Sequence, residues 1–300
     1  MAQFPYQIFA TVVETGSFAK AAAKLNVTPS AVSHAVSQLE REFGFPIFYR
    51  ARAGVTLTAD GAQLLPYIEE ILSLEMNLSQ RVEQIRGVNA GQIRIGAFSS
   101  ICVSWLPKII QQFKEQYPAI EVKIIQGDFN EIAHQTQLGE LDLGFTAMPV
   151  SEKVTVYPLI NDPIYCVTPA DFTPANGATI TEKDVAGQKF ILQQIDYDRD
   201  TKLVLDYYRV TQNSLTFSID DQSILAMVEA KLGFGVLPKL ALQKLTGPVK
   251  IYRFEKEFQR HLALVANRTQ EKAPATQKMV TLIHDFLANE YGDQLIWQKK

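Results

Sequence analysis

The spacing of hydrophobic and polar positions changes character several times along the chain. Over Phe4–Thr15 the apolar residues Phe4, Ile8, Phe9, Val12 and Val13 share one face at helical spacing, and Gly16 stops the run. Ser17 can cap a second, alanine-rich helix (Ala19, Ala21, Ala22, Ala23) that ends near Leu25 and Asn26. Thr28-Pro29 is a third start, with threonine as cap and proline in the first helical position; Gly44 follows its last predicted residue, Phe43. Three short helices with tight joins predict a helix-turn-helix core. In the third, Val32, Val36, Leu39 and Phe43 form the stripe to be buried, while Ser30, Ser33, His34, Ser37 and Arg41 point the other way. Residues 47–58 then read as two short extended stretches around a small-residue turn holding Arg50 and Arg52. Thr58 can cap a long helix over about 59–86, ended by Gly87.

That long helix carries Leu64, Ile68, Ile71, Leu78, Val82 and Ile85 in a 4-3 seam, with Glu75 as its polar break. A narrow apolar seam needs a partner. The same helix of a second chain is one candidate and the body of its own chain the other; the expectation is a homodimer. From Gly91 the pattern alternates between strand and helix. Strands are predicted at 93–97, 120–126, 141–147, 189–193, 215–219 and 234–237, with helices at 105–117, 130–138, 199–210, 221–232 and 276–291. This order predicts a mostly parallel sheet in two similar α/β halves, hinged around a cleft. The expected division is 1–58, 59–90 and 91–300, the last with one lobe at about 91–161 and 266–300 and another at about 162–265.

Composition changes the picture mainly by exclusion. Of 300 residues 47% are hydrophobic and 20% charged, which rules out a disordered or collagen-like chain. No apolar run reaches the ~20 residues of a membrane span. The start, Met1-Ala2-Gln3-Phe4, lacks the basic and apolar pattern of an export signal, so the expected location is cytoplasmic. The net charge of −3 means that any nucleic-acid contact comes from local placement of cations, not bulk charge. Cys102 and Cys166 sit in mostly apolar surroundings and read as reduced thiols, a redox pair being the alternative. His34, His134, His261 and His284 show no metal-ligand spacing. No metal or other cofactor is expected.

The outer face of the third helix offers short hydrogen-bonding groups and one cation, without the Glu/Lys pairs of an ordinary solvated face until Glu40. Such a face suits base edges in a major groove, and the basic hairpin after it suits phosphates. At these residues the sequence resembles the LysR-type transcriptional regulators. The resemblance runs from Phe9-x-x-Val12-x-Glu14-x-Gly16-Ser17-Phe18-x-x-Ala21-Ala22-x-x-Leu25 into Val27-Thr28-Pro29-Ser30-Ala31-Val32-Ser33-x-x-Val36-x-x-Leu39-Glu40. Phe48-x-Arg50 and Leu57-Thr58-x-x-Gly61 complete it. Downstream, Pro107 to Pro118, Gly139-x-Leu141-Asp142-Leu143 and Gly233-Phe234-Gly235-Val236-Leu237-Pro238 are similar to the family's effector-binding domain. One departure is Ala53, where the family's wing usually carries a second basic residue before its glycine; Arg52 stands one place earlier.

The resemblance implies an N-terminal winged helix-turn-helix, a linker-helix dimer and a two-lobed C-terminal α/β domain similar to type 2 periplasmic binding proteins. It also implies a small-molecule effector between the lobes and, commonly, a tetramer built as a dimer of dimers. The expected partners are a pseudo-palindromic site in double-stranded DNA, the effector, further copies of the chain and, for an activator, RNA polymerase; no membrane is expected. For DNA the candidates are Thr28, Pro29, Ser30, Ser33, His34 and Ser37, with Arg50 and Arg52 on the phosphates. For the effector they are Ser99 and Ser100 after the first strand, Gly127, Asp128, Thr146, and Gln193 and Gln194 opposite. Hydroxyls at a helix start suit a carboxylate, plain capping being the alternative, and no Arg or Lys is expected to enter the cleft from these strand ends. Asp196, Asp198 and Asp200, beside Tyr197 and Arg199, read as a solvated acidic loop that could instead meet an amine. A solute-transport component would need an export signal, and an enzyme a nucleophile–base pair, a phosphate loop or a metal cluster; none appears.

Overall fold

The computed structural model describes residues 4–51, 54–85, 91–192, 199–210, 215–216, 221–243 and 247–298. Contacts divide the chain into two units, residues 1–82 and 83–300.

The first unit begins with helices α1 (Phe4–Thr15), α2 (Phe18–Leu25) and α3 (Pro29–Phe43). Each end has a local cause. The Ser17 and Thr28 side chains accept from Lys20 N and Ala31 N, while Asn26 and Gly44 leave their helices in the left-handed region at φ 54° and 82°. Strands β1 (Phe48–Ala51) and β2 (Gly54–Leu57) form an antiparallel hairpin. The hairpin is stitched to the α1–α2 turn: Val55 N donates to the Gly16 carbonyl at 3.0 Å, and a side chain on Gly54 would stand 3.0 Å from that same oxygen. Thr58 works in both directions, donating to Pro46 O and accepting from Gly61 N, and so starts α4 (Ala59–Ile85). At 27 residues α4 is about 40 Å long.

The core of this unit contains Ile8, Phe9, Val12, Val32, Val36, Leu39, Ile47 and Phe48, and Ile68 of α4 joins it. Leu64, Leu65 and Leu72 pack against the same cluster. This corrects the linker seam. Leu64 and Ile68 face their own unit's core, and among the described side chains of α4 the large apolar ones left in solvent are Tyr67, Ile71, Leu74, Leu78 and Val82. Heptad spacing alone cannot say which of two adjacent stripes the core takes. The side chain of Ile85 lies outside the described residues.

The second unit opens with β3 (Gly91–Ala97), α5 (Ser99–Ser104), α6 (Leu106–Gln116), β4 (Ile120–Gln126), α7 (Phe129–Leu138) and β5 (Leu143–Ala147). Next come β6 (Thr155–Pro169), β7 (Thr179–Ile180), α8 (Glu182–Val185), β8 (Phe190–Leu192), α9 (Arg199–Tyr207), β9 (Leu215–Thr216) and α10 (Asp221–Glu229). β10 (Phe234–Pro238), β11 (Val249–Phe254), β12 (Gln259–Ala266) and α11 (Pro274–Tyr291) complete it. Pro238 is followed by a 3-10 helix, Lys239–Leu242.

The sheet is mixed where a mostly parallel one was expected. β3 pairs parallel with β4 and β5, and β8 parallel with β9 and β10. Between these two blocks run β6 and β12, antiparallel to their neighbours. The first half of β6 pairs with β12 in one lobe, and its second half with β10 and β11 in the other. β6 thus passes from one lobe to the other, and the chain returns between β11 and β12. One core gathers Ile93, Ile95, Trp105, Ile109, Phe113 and Phe145; the other lobe has Phe190, Val204, Phe234 and Phe254.

Candidate functional sites

In the first unit the serine-rich face of α3 lies on the surface. Thr28, Pro29, Ser30 and His34 are exposed, Ser33 and Ser37 half-buried. The Thr28 oxygen already serves the helix cap and lies 2.9 Å from the Ser30 hydroxyl, so part of its capacity is spent inside the turn. Arg50 leans back from the wing toward α3. Its Cζ lies 5.0 Å from the centre of the Phe18 ring, and Nη2 reaches the Ser37 hydroxyl at 3.4 Å and Glu40 at 3.6 Å. Arg50 therefore braces hairpin against helix while half of its side chain stays in solvent. Arg52 lies outside the described residues.

In the second unit, parallel pairing sends the C-terminal ends of β3, β4 and β5 to one edge, where α5 and α7 begin. Open α/β sheets bind ligands at such edges. Arg199, first residue of α9 in the other lobe, donates to the carbonyls of Ala147, the last residue of β5, and Pro149 just past it, at 3.3 and 3.1 Å. The two edges therefore face each other. Arg199 stands at the start of the helix expected over 199–210, and Asp200 lies in that helix; Asp196, Tyr197 and Asp198 lie outside the described residues.

Ser99, Ser100 and Thr146 are all buried at the first lobe's edge. Thr146 Oγ1 donates to the Phe129 carbonyl at 2.9 Å. Asp128 caps α7 by accepting from Glu131 N at 2.8 Å, which spends its carboxylate on the helix. Gly127 N donates to Ala97 O at 3.3 Å, which ties the ends of β3 and β4 together. Phe98 and Phe129 meet edge to face, with ring centres 4.6 Å apart. Around Phe129 the fold thus collects Ser100, Gly127, Asp128 and Thr146. Gln193 and Gln194 lie outside the described residues.

Ser99 and Ser100 stand at the start of a helix, as expected, but the helix is short. α5 has six residues, too short to build much of a dipole, and Phe98, its cap, has no polar side chain to offer. A buried cation lies beside Ser100. Arg260, on β12, is 2% exposed; its guanidinium lies 4.9 Å from the Phe98 ring centre and donates to Ser100 Oγ at 2.8 Å. The same group is paired with Asp162 of β6, Nε and Nη2 each 2.9 Å from Oδ2. Asp162 Oδ1 accepts from Leu240 N at 3.1 Å. Sequence reasoning missed both residues, because Asp162-Pro163 reads as a strand breaker and Arg260 belongs to no motif.

Two of the three stretches named downstream act in packing. Asp142 accepts from Arg94 N at 2.6 Å and pairs with the Arg94 guanidinium, bracing β3 against the turn before β5. A side chain on Gly233 would stand 2.7 Å from Lys189 O, so only glycine lets β10 approach there. Burial pushes the Cys102 thiol up to about 11 and the Cys166 thiol higher still, so both are protonated near neutral pH. Among the described residues no cluster of His, Cys, Asp and Glu could hold a metal, and no helix is long and apolar enough to cross a membrane.

Residues 6–62 match the family described as bacterial regulatory helix-turn-helix protein, lysR family, and residues 86–288 the LysR substrate binding domain. The chain belongs to the LysR family of transcriptional regulators. One LysR relative is the probable HTH-type transcriptional regulator LrrA of Synechococcus elongatus, 30% identical over 238 residues, covering 78% of this chain and 80% of that one. In fold the chain is similar to a full-length cysteine-to-aspartate variant of OxyR from Pseudomonas aeruginosa, with a TM-score of 0.76 at 22% identity, covering 100% and 99%. It is also similar to CbnR complexed with its target DNA, with a TM-score of 0.62 at 17% identity, covering 95% and 100%. Like its LysR relatives the protein is a DNA-binding regulator with an effector-binding domain, and not an enzyme.

Proposed function

We propose that this LysR regulator reads a pseudo-palindromic operator through paired copies of α3 and responds to a small carboxylate held between its lobes. In this reading residues 1–58 bind DNA, 59–90 join two copies and 91–300 sense the effector, with two dimers assembling into a tetramer. The observation that carries the DNA half is the α3 face, with Ser30, Ser33 and His34 together at the surface. The exposed Tyr67, Ile71, Leu74, Leu78 and Val82 support α4 as the surface for the second copy. The effector half is supported by buried hydroxyls and an arginine at the facing edges of two lobes. An activating role would add contact with RNA polymerase.

A mobility-shift titration with specific and random DNA tests the first half. Ser33→Ala with His34→Ala should narrow the ratio of specific to random affinity by about thirtyfold or more, since two base contacts at about 1–3 kcal/mol each lose at least about 2 kcal/mol of discrimination. Arg50→Ala should weaken both DNAs and flatten the dependence on salt. Loss of base preference in Arg50→Ala at an unchanged salt slope would remove the wing assignment.

A further inference from the structure

We propose that the protein sets its two buried cleft hydroxyls to opposite hydrogen-bonding polarity, so that the effector is a carboxylate bearing a neighbouring hydroxyl or amino group. Arg260 is the positioning residue that selects the carboxylate. The inference deepens the effector reading above and rests on it.

The argument is a count of protons. A hydroxyl has one proton and two lone pairs, whereas a guanidinium has only protons. Ser100 Oγ accepts a hydrogen bond from Arg260 Nη2 at 2.8 Å. Its own proton cannot return to that group; one lone pair also remains, but a hydroxyl already accepting from a cation is the stronger donor and the weaker second acceptor, so Ser100 favours an acceptor on the ligand. Thr146 is the reverse case. Its proton is spent on the Phe129 carbonyl at 2.9 Å, and lone pairs are what it has left to offer. A carboxylate oxygen therefore suits Ser100, and an O–H or N–H suits Thr146. Both side chains are nearly inaccessible, so a mismatched group would stay unpaired once the lobes enclosed it.

Arg260 does not clamp the ligand itself. Two of its nitrogens are already turned to Asp162, and the pair is close to neutral. Its effect passes through Ser100: it fixes the hydroxyl's orientation and makes its proton a better donor, as a chain of charge-assisted bonds does. Phe98 and Phe129 pack together beside the guanidinium, their ring centres 4.9 and 6.0 Å from its Cζ. Lysine would keep the charge against Asp162 but not the planar fork that reaches Ser100.

The test uses the full-length chain and calorimetric titration with two- to five-carbon 2-hydroxy acids. The same acids lacking the hydroxyl, and the corresponding 2-hydroxy amides, are titrated alongside at matched ionic strength. Wild type should favour the 2-hydroxy acid over either analogue by at least tenfold. Arg260→Lys and Arg260→Gln should erase the preference for acid over amide, and Arg260→Gln added to Ser100→Ala should cost nothing further. Thr146→Val should erase the preference for the hydroxyl, and Thr146→Ser should restore it. A merely structural arginine would lower stability and leave these ratios untouched. If Arg260→Gln fails to fold, Arg260→Lys and the two Thr146 variants carry the test. Should wild type bind no carboxylate, the effector reading falls and takes this one with it. Carboxylate binding whose ratios ignore Arg260 and Thr146 would overturn only the present inference.

Discussion

The chain uses serine and threonine in two opposite ways. On α3 the exposed hydroxyl of Ser30 and the half-buried one of Ser33 stand with His34 on a solvated face. At the start of α5 and the end of β5 the hydroxyls of Ser100 and Thr146 are buried and already tied to an arginine and a carbonyl. An exposed hydroxyl can turn to suit either partner of a base edge or a phosphate, and it costs little when idle because water satisfies it. A buried one has its orientation fixed by folding, and an unmatched partner costs about 1–3 kcal/mol. The first arrangement serves a large partner that docks from outside; the second serves a small one that is enclosed.

The largest effect that separates the two regions is expected at Asp162. Asp162→Ala strands the buried Arg260 without its counter-charge, which should cost the second unit about 3–5 kcal/mol. Calorimetric melting should show that unit's transition falling sharply, while specific DNA affinity at low temperature holds. A loss below about 1 kcal/mol would mean that water reaches the pair.

Within the first unit α4 provides an internal contrast. Ile68 is 3% exposed and Leu78 is 65% exposed. Ile68→Ala should cost about 2–5 kcal/mol of folding stability through the cavity it leaves. Leu78→Ser should leave monomer stability within about 0.5 kcal/mol and instead weaken self-association in sedimentation experiments. If both variants acted on association and neither on stability, Ile68 would belong to the seam after all.

The smallest effect concerns Cys102, half-buried beside the Ser99–Ser100 turn. With its thiol raised to about 11, alkylation near neutral pH should be slow, on the order of a hundredfold below a small free thiol, and should rise only as pH approaches that value. Fast labelling at neutral pH would show that the first turn of α5 opens readily.

Much of the fold was legible because its causes are local. Gly16, Ser17, Thr28-Pro29 and Gly44 act within a turn of where they stand, and the helices they bound are found where the sequence places them: Phe4–Thr15, Phe18–Leu25 and Pro29–Phe43. Strands β6, β11 and β12 were not legible. Pro158, Asp162 and Pro163 read as breakers within Thr155–Pro169, and only pairing across the sheet makes that segment one strand.

The candidate site divides along the same line. The sequence by itself determined the serine face of α3, the positions of Ser99, Ser100 and Thr146 at strand ends, and membership of a recognisable family. Helical period, capping chemistry and strand alternation need only neighbouring residues to be read. Tertiary structure alone decided which α4 stripe the first unit's core takes, and that Arg260 comes to lie under Ser100, 160 residues earlier in the chain. It also decided that the Thr146 proton is already spent. Those facts follow from register between distant strands and from how one core is filled, and no local pattern encodes either.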